Sequence, residues 1–266
     1  MSERMDDLRI RSARPLITPW VLAEELPLGA TAAHTVAGGR KAIESILAGN
    51  DPRVLAIVGP CSVHDPRALL DFARQFKAAC EPLADAVFPV LRVYFEKPRT
   101  IVGWKGLIND PDLDGSFHVN RGLHLARQVL LDVADLGLAA ASEFLDNTLG
   151  QYYADLVGFG AIGARTVESQ IHRELASGLS MPVGFKNATN GNIDVAIDAI
   201  RCASRSHWFP SLTKEGTPAS LESTGNPQSY LILRGGSQSG PNYNPQAVTD
   251  AAVALAAADL PASLIV

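Results

Sequence analysis

The chain has 266 residues, of which 47% are hydrophobic and 19% are charged. This composition is typical of a globular protein and excludes a disordered chain or a coiled coil. The net charge of −5 gives no bulk attraction for nucleic acid or for an anionic membrane surface, so we expect neither partner. One (β/α)₈ barrel takes about 250 residues, which puts that architecture within range.

Two further features bear on the cellular compartment. No stretch approaches the roughly 18 uncharged apolar residues of a membrane-spanning helix, and the first residues alternate in charge where a secretory signal would have an apolar core. The cysteines, Cys61, Cys80 and Cys202, are odd in number and widely spaced, which fits reduced thiols and not a disulfide framework. We therefore expect a cytoplasmic protein.

In chain order, residues 1–50 come first. They are charged and only weakly periodic, so we interpret them as an N-terminal extension with regulatory or oligomer contacts and one short helix near Val36–Leu47. From residue 51 onward, short apolar runs alternate with amphipathic stretches of helical period, which is typical of βα units around a parallel sheet. The predicted strands are Val54–Val58, Val87–Val93, Gly137–Ala141, Leu156–Ile162, Pro182–Phe185, Tyr230–Leu233 and the start of a seventh at Ser263–Val266. The predicted helices are Asp65–Ala79, Val119–Leu136, Ser169–Ser177, Ile193–Cys202 and Pro245–Ala258.

The region Ser206–Thr224 breaks this alternation, and its Gly, Pro and Thr content predicts an inserted β-hairpin. The sequence thus predicts an α/β fold in which residues 51–266 form an incomplete (β/α)₈ barrel, with six βα units and the start of strand seven.

A chemically capable side chain ends or follows each of the first six apolar runs. These residues are Cys61, Arg92, Glu143, Arg165, Lys186 and Arg234. A single Arg or Lys in such a place is usually a solvated loop charge, but in a parallel α/β barrel all six would meet at the carboxyl ends of the strands. Four of the six are cations, which need an anion to offset the cost of gathering them in one cleft. Guanidinium groups bind phosphate and carboxylate bidentately, so the sequence predicts a small phosphorylated carboxylic acid as ligand.

Cys61 has two interpretations. A lone cysteine after a buried strand is usually a packed small hydrophobe. The alternative is a metal ligand or a nucleophile at the mouth of the barrel, although no second Cys or His lies nearby at metal-binding spacing. The long loop after the second strand adds Lys97, Arg99 and the Thr100 hydroxyl, which predict a second compact anion site.

Several motifs are similar to those of one enzyme family. They are Gly59-Pro60-Cys61-Ser62, Lys97-Pro98-Arg99-Thr100 with Gly103-Trp104-Lys105-Gly106, Gly160–Thr166, Glu168-Ser169-Gln170, Pro182–Asn187 and Leu233-Arg234-Gly235-Gly236. Over essentially its whole length the sequence resembles the feedback-regulated type I 3-deoxy-D-arabino-heptulosonate 7-phosphate (DAHP) synthases. These enzymes catalyse the first step of the shikimate pathway of aromatic amino acid biosynthesis, in which phosphoenolpyruvate condenses with erythrose 4-phosphate and water. Phosphoenolpyruvate carries the two anionic groups that the charge pattern predicts.

The resemblance assigns roles to these residues. The groups implied to hold phosphoenolpyruvate are Arg92, Ala164 through its amide, Arg165, Lys186 and Arg234. Arg99 and Thr100 would bind the phosphate of erythrose 4-phosphate. Lys97 would donate a proton to the aldehyde oxygen, and Glu143 would position the attacking water. Cys61 would be a ligand of a divalent metal, with Mn, Fe, Co and Zn all open.

The resemblance also implies an allosteric site for an aromatic amino acid. The matching residues are Asp6, Asp7, Gly150, Gln151, Leu179, Ser180, Phe209 and Ser211. The two aspartates would come from a neighbouring subunit, so we expect a homo-oligomer, a dimer or a tetramer. Gly150 stands where phenylalanine- and tyrosine-sensitive forms usually have proline, which favours tryptophan as the effector, although glycine in a loop is more often simple turn chemistry.

The sequence departs from the family pattern in several places. Ala188 and Asn190 replace a usual Gly and Asp, Val167 replaces a usual Thr, and the stretch Ser237–Gly240 is longer than usual. The family also continues beyond its seventh strand into an Asp-x-Ser-His-x-Asn motif that supplies a metal-binding His, followed by Glu and Asp ligands. Because this sequence ends at Val266, we expect a truncated barrel that retains one of four ligands and binds metal poorly.

Two alternatives stay open. In the first, the chain is a non-catalytic fragment of such an enzyme and binds phosphorylated ligands or partner subunits. A weaker alternative is an aldolase of another barrel family; no isolated Schiff-base lysine is evident in an apolar pocket, although Lys186 lies at a suitable strand end.

Overall fold

The computed structural model of this chain describes residues 5–99 and 101–266. In these ranges there are nine strands: β1 (Val54–Val58), β2 (Val87–Arg92), β3 (Ala139–Glu143), β4 (Phe159–Ile162), β5 (Val183–Lys186), β6 (Trp208–Leu212), β7 (Pro218–Glu222), β8 (Ser229–Ile232) and β9 (Leu264–Ile265). The same ranges contain seven α-helices: α1 (Pro19–Glu25), α2 (Ala30–Leu47), α3 (Pro66–Cys80), α4 (Val119–Asp135), α5 (Gln170–Gly178), α6 (Asp194–Ala203) and α7 (Pro245–Ala257). Short 3₁₀ helices cover Glu81–Leu83, Leu149–Tyr152 and Ala154–Leu156.

Seven strands form one parallel sheet in the order β1-β2-β3-β4-β5-β8-β9. Each predicted apolar run overlaps one of these strands, and the predicted α/β class with a parallel sheet is confirmed. The antiparallel pair β6–β7 is the hairpin predicted within Ser206–Thr224. Because β5 pairs directly with β8, this hairpin stays outside the main sheet.

Side chains cap the helices that begin with a proline. The Asp65 carboxylate accepts a hydrogen bond from the backbone N–H of Arg67 (2.9 Å) at the start of α3. The Asn244 side chain accepts one from the N–H of Ala247 (2.9 Å) at the start of α7. These caps satisfy donors that a helix start leaves unpaired. Among the helices in the described ranges, none is both long and apolar enough to cross a bilayer.

One face of the sheet carries an inner apolar cluster. It contains Leu55, Ile57, Phe88, Val90, Ala139, Ala141, Phe159, Tyr230, Ile232 and Ile265, joined by Ile43 and Leu47 of α2. Since residues from β1 and from β9 share this cluster, the sheet is curled as the wall of a barrel is. Side chains alternate along a strand with a period of two, so the next inward positions towards the carboxyl ends are Arg92, Glu143 and Arg234. The inner packing therefore aims chemically capable side chains at that end of the sheet.

The N-terminal region is more helical than the sequence pattern predicts. Helix α2 begins at Ala30, six residues before the predicted start at Val36, and α1 was not predicted. A start signal for α1 is present, since Thr18 precedes a proline and its side-chain oxygen accepts a hydrogen bond from the N–H of Val21 (3.3 Å).

Hydrogen bonds tie this region to the rest of the chain. Arg127 Nε of α4 donates to the carbonyl oxygen of Leu26 (2.8 Å), and the Tyr152 hydroxyl donates to that of Ile17 (2.6 Å). Arg127 is 2% exposed and also forms an ion pair with Asp155 (2.8 Å). The division of the chain at residues 50 and 51 stays a prediction.

Candidate active site

The carboxyl ends of the strands surround a cavity of about 250 Å³. Predicted site residues that line it are Arg92, Lys97, Glu143, Ala164, Arg165, Lys186 and Arg234. Three of these end the strands β2, β3 and β5, and the arginines that follow β4 and β8 complete the ring of charge. The fold thus gathers side chains that are separated by up to about 140 residues in the sequence, as parallel strands with a common direction require.

Cys61 lies beside this cavity and accepts hydrogen bonds from Lys97. Lys97 Nζ donates to Cys61 Sγ (2.8 Å) and to the Cys61 carbonyl oxygen (2.9 Å). The hydrogen bond from Lys97 lowers the pKa of the Cys61 thiol, and partial burial opposes that effect. The pair therefore favours a thiolate, the form that binds metals.

The described residues do not by themselves form a metal centre. In the ranges 5–99 and 101–266, no three His, Cys, Asp or Glu side chains are grouped as ligands. Structural and catalytic metal sites in proteins use three or four such ligands. Cys61 is thus a single candidate donor, and we derive no chemical step through a metal.

Glu143 and Lys186 form an ion pair between β3 and β5, in which Lys186 Nζ donates to Glu143 Oε2. The side chain of Glu143 is 8% exposed and that of Lys186 is 17% exposed. Burial lowers the pKa of Lys186, and the negative charge of Glu143 opposes this by favouring the ammonium form. Removing either partner would leave a buried charge uncompensated.

An aromatic ring stabilises two of the cations. The guanidinium carbon of Arg92 lies 4.0 Å from the centroid of the Tyr94 ring, and Lys186 Nζ lies 5.1 Å from it. Burial raises the pKa of Tyr94, so its hydroxyl stays neutral. Arg92 Nε is buried and has no hydrogen-bond partner among the described residues. An unpaired donor at the wall of a cation-rich cavity is suited to an anionic ligand.

Cations outnumber anions in this cavity. Arg92, Lys97, Arg165 and Arg234 take part in no ion pair within the described ranges, whereas Lys186 is neutralised by Glu143. Four cations without a carboxylate partner among the described residues favour a ligand that carries several negative charges.

The two ends of the loop after β2 are joined by backbone hydrogen bonds. The N–H of Lys97 donates to the carbonyl oxygen of Lys105 (2.9 Å), and the N–H of Leu107 donates to that of Phe95 (2.8 Å). Gly106 lies between them with a φ of 113°, and a Cβ there would come within 1.9 Å of the Phe95 carbonyl oxygen. Only glycine allows the two sides of the turn to approach this closely.

Arg99 does not line the cavity. Its Nε donates to the carbonyl oxygen of Trp104 (2.7 Å) within the same loop, and among the described residues its other guanidinium nitrogens make no hydrogen bond. Thr100 lies outside the described residues.

The sequence analysis missed Glu96, which also lines the cavity. Its side chain is 6% exposed, and burial raises its pKa to about 7, with a further contribution from the negative charge of Asp146. Backbone N–H groups of Leu145 and Asp146 oppose this rise, and Oε2 has no hydrogen-bond partner in the described part of the chain. Its position next to Lys97 was the available signal, but adjacency does not show which way a loop side chain turns.

A second cavity, of about 640 Å³, lies among the 3₁₀ helices, α5 and the hairpin. Predicted allosteric residues that line it are Gly150, Gln151, Leu179, Ser180, Phe209 and Ser211. Asp6 and Asp7 lie in the exposed N-terminal segment and do not line it. The structure therefore brings six of the eight predicted residues together.

The hairpin is attached to the floor of this second cavity at two points. Ser211 Oγ donates to the carbonyl oxygen of Asn147 (3.3 Å), and Lys214 Nζ donates to that of Gln151 (2.5 Å). A Cβ on Gly150 would lie 3.2 Å from the ring of Phe144. Any larger residue at position 150 therefore presses on that ring.

Comparison with known proteins places the chain in one family. Residues 28–266 match the sequence profile described as the DAHP synthetase I family. Over all 266 residues the chain is 54% identical to the Phe-sensitive phospho-2-dehydro-3-deoxyheptonate aldolase of Escherichia coli (strain K12) and spans 75% of that protein.

Relatives with other effectors are similar to nearly the same degree. The chain is 52% identical over 263 residues to the Trp-sensitive enzyme of Enterobacter agglomerans, spanning 99% of this chain and 75% of that relative. It is 48% identical over 264 residues to the Tyr-sensitive enzyme of Escherichia coli (strain K12), spanning 99% and 74%. The solved structure of the phospho-2-dehydro-3-deoxyheptonate aldolase from Francisella tularensis SCHU S4 superimposes with a TM-score of 0.92 at 50% identity, covering 94% of this chain and 73% of that one. The chain therefore belongs to the DAHP synthetase I family, the enzymes that catalyse the first step of the shikimate pathway.

Proposed function

We propose that the 250 Å³ cavity binds phosphoenolpyruvate and joins it to erythrose 4-phosphate. The observation that carries this assignment is the excess of cations around one cavity with an unpaired donor on its wall, because phosphoenolpyruvate carries a phosphate and a carboxylate. The residues assigned to these two groups are Arg92, Arg165, Lys186, Arg234 and the amide of Ala164.

The other substrate would bind on the side of the loop after β2. Among the described residues the Arg99 guanidinium makes one hydrogen bond, through Nε, and with Thr100 it is assigned to the phosphate of erythrose 4-phosphate. Lys97 lines the cavity and lies two residues before Arg99 in the sequence, so we assign to its ammonium the protonation of the aldehyde oxygen.

The proposed reaction forms one carbon–carbon bond and, at C2 of phosphoenolpyruvate, forms a carbon–oxygen bond to water and breaks the one to phosphate. C3 of phosphoenolpyruvate attacks the aldehyde carbon, and the aldehyde oxygen takes a proton from Lys97. Water attacks C2, positioned by Glu143, which accepts one of its protons; phosphate then leaves C2 and the ketone forms. Proton donation by Lys97 and proton acceptance by Glu143 are general acid–base catalysis. The family depends on a divalent metal, for which Cys61 is our proposed ligand, and Mn, Fe, Co and Zn remain the candidates.

We further propose that the 640 Å³ cavity binds an aromatic amino acid that inhibits the enzyme, with tryptophan favoured because of Gly150. The relatives' names include phenylalanine, tyrosine and tryptophan as effectors. Exposed apolar side chains of the N-terminal segment, including Met5, Leu8 and Ile10, support a homo-oligomer in which this segment packs on a neighbour. A cytoplasmic location and the (β/α)₈ barrel as the full architecture remain predictions.

Turnover of the purified chain tests the catalytic assignment. The ultraviolet absorbance of phosphoenolpyruvate is followed with both substrates and with Mn²⁺, Fe²⁺, Co²⁺ or Zn²⁺ in turn. We expect consumption of phosphoenolpyruvate that requires erythrose 4-phosphate and releases one phosphate per product. Binding of phosphoenolpyruvate without turnover under any of these metals would instead identify a non-catalytic binding protein.

A further inference from the structure

The turns after β5 and β8 lock against each other. The N–H of Ser237 donates to the carbonyl oxygen of Thr189 (2.8 Å), and the N–H of Ser239 donates to that of Asn190 (3.3 Å). The second turn is closed on itself by two hydrogen bonds between Gly236 and Gly240, at 2.9 and 3.0 Å. We call residues 187–191 and 234–242 together the clasp.

Glycines make this close approach possible. A Cβ on Gly236 would lie 2.2 Å from the backbone nitrogen of Gly191. A Cβ on Gly191 would lie 2.0 Å from Ser239 Oγ, and its φ of 107° is itself unfavourable for other residues. Both distances are far inside van der Waals contact, so any larger residue at these positions must separate the two turns.

A buried amide connects the clasp to the cavity. Asn187 is fully buried; its Oδ1 accepts hydrogen bonds from the N–H of Arg234 (2.9 Å) and from Asn242 Nδ2 (3.2 Å). Its Nδ2 donates to the carbonyl oxygen of Gly235 (2.9 Å). Asn242 Oδ1 in turn accepts from the N–H of Gly235 (2.6 Å). The backbone of Arg234 and Gly235 is thus held from both sides.

The clasp fixes the relative position of two cations of the cavity. Lys186 directly precedes Asn187 in the sequence, and the backbone N–H of Arg234 donates a hydrogen bond to the Asn187 side chain. A guanidinium or ammonium that binds a phosphate or carboxylate must be placed to within a fraction of an ångström. Of the departures from the family pattern noted in the sequence, Ala188, Asn190 and the stretch Ser237–Gly240 lie in the clasp, whereas Val167 does not.

We propose that the clasp, through Asn187 and Asn242, is a positioning device that sets the affinity for phosphoenolpyruvate independently of that for erythrose 4-phosphate. This inference rests on the proposed function, because it assumes that Arg234 and Lys186 hold phosphoenolpyruvate. Residues assigned to erythrose 4-phosphate lie on the loop after β2, which makes no part of the clasp.

The direct test is Gly236→Ala, which forces the two turns apart. We expect its KM for phosphoenolpyruvate to rise about 10-fold or more, since a shift of about 1 Å at a binding group costs up to about 100-fold. Its KM for erythrose 4-phosphate should change less than about twofold. Gly38→Ala, on the exposed side of α2 with nothing within 4 Å of its added Cβ, is the matched glycine control and should leave both constants unchanged.

A second variant guards against loss of folding. Asn242→Ala removes two hydrogen bonds of the clasp without adding volume, and its thermal unfolding and direct binding of phosphoenolpyruvate are measured by calorimetry beside the wild type. We expect weaker phosphoenolpyruvate binding with a cooperative unfolding transition. The inference is overturned in either of two cases, provided that the wild type turns over. Both clasp variants keep the wild-type affinity for phosphoenolpyruvate, or both lose affinity for the two substrates to the same extent. A wild type without any turnover would overturn the proposed function instead.

Discussion

The two cavities are built in different ways. The 250 Å³ cavity proposed to bind the substrates, the substrate cavity, is formed by the ends of parallel strands, so its charged residues follow from strand direction and from alternation along each strand. The 640 Å³ cavity proposed to bind the effector, the effector cavity, is formed by the 3₁₀ helices between β3 and β4, by α5 and by the β6–β7 hairpin, and the hairpin lies outside the main sheet. The first cavity gathers partly buried charges in about 250 Å³, whereas the second is roomier, at about 640 Å³, and is lined partly by loop residues.

The largest effect is expected in the substrate cavity from Lys186→Met. It removes a cation from the proposed phosphoenolpyruvate site and leaves Glu143 buried without its partner. We expect kcat/KM to fall about 100- to 1000-fold and the free energy of unfolding to fall by about 3 kcal/mol. Steady-state kinetics and urea unfolding measure the two effects.

The double variant Glu143→Gln/Lys186→Met separates stability from chemistry. With the uncompensated charge removed, its free energy of unfolding should return most of the way to that of the wild type, while activity stays low. Recovery of activity together with stability would show that neither side chain takes part in catalysis.

We expect Glu96→Gln to change the free energy of unfolding by about as much as Lys186→Met does, but only at high pH. The pKa of Glu96 is raised to about 7 in the folded chain, so the folded state binds this proton more tightly than the unfolded state, whose pKa is about 4.5. The carboxyl therefore supports folding fully below about pH 4.5, and this contribution is lost as the pH rises to about 7. The variant should be more stable than the wild type by about 3 kcal/mol above pH 7 and by much less near pH 5.

Urea unfolding at several pH values between about 5 and 9 measures this difference. Glu81→Gln is the matched control, because Glu81 is exposed on the surface and its substitution should show no such pH dependence. A Glu96→Gln variant whose stability difference from the wild type is the same at both ends of the range contradicts the assignment of a buried proton to this group.

In the effector cavity a smaller effect, restricted to regulation, is expected from Phe209→Ala. Phe209 is 8% exposed and lines the cavity that we propose binds the effector. Truncation of such an anchor costs about 2 kcal/mol, so the inhibition constant should weaken about 30-fold for the effective amino acid. Inhibition is measured with phenylalanine, tyrosine and tryptophan, and we expect tryptophan to be strongest in the wild type.

Trp208→Ala provides the control for this variant. Trp208 is the neighbour of Phe209 on β6 but is 64% exposed, because successive side chains of a strand point to opposite faces. Its loss should leave inhibition unchanged. Equal weakening by both substitutions would mean that the hairpin as a whole, and not this cavity, determines inhibition.

The strand-end residues were accessible from the sequence because apolar runs are local signals. The run Val54–Val58 has the same bounds as β1, and the predicted hairpin contains β6 and β7. Within about three residues of the ends of such runs stand Cys61, Arg92, Lys186 and Arg234, so their meeting at one end of the sheet is expected from parallel strands alone. The resemblance of the motifs to a known family then predicted the reaction, which the hydrophobic periodicity alone does not indicate.

Contacts between loops were not accessible in this way. Strand β3 reads Ala-Ala-Ala-Ser-Glu, which has no apolar alternation to show that Glu143 faces inward towards Lys186. Likewise, nothing near Glu96 in the sequence shows its burial against the loop that holds Asp146. These features depend on which distant segments pack together.

The sequence by itself determined the class of fold, the charge of the substrate site and the family, because each rests on local pattern or on motif. Only the tertiary structure decided the Glu143–Lys186 ion pair, the buried carboxyl of Glu96, the shape of the effector cavity and the clasp between the turns after β5 and β8. The physical reason is that desolvation and hydrogen bonding act between groups tens to hundreds of residues apart, and their strength is set by burial that no local window of the sequence contains.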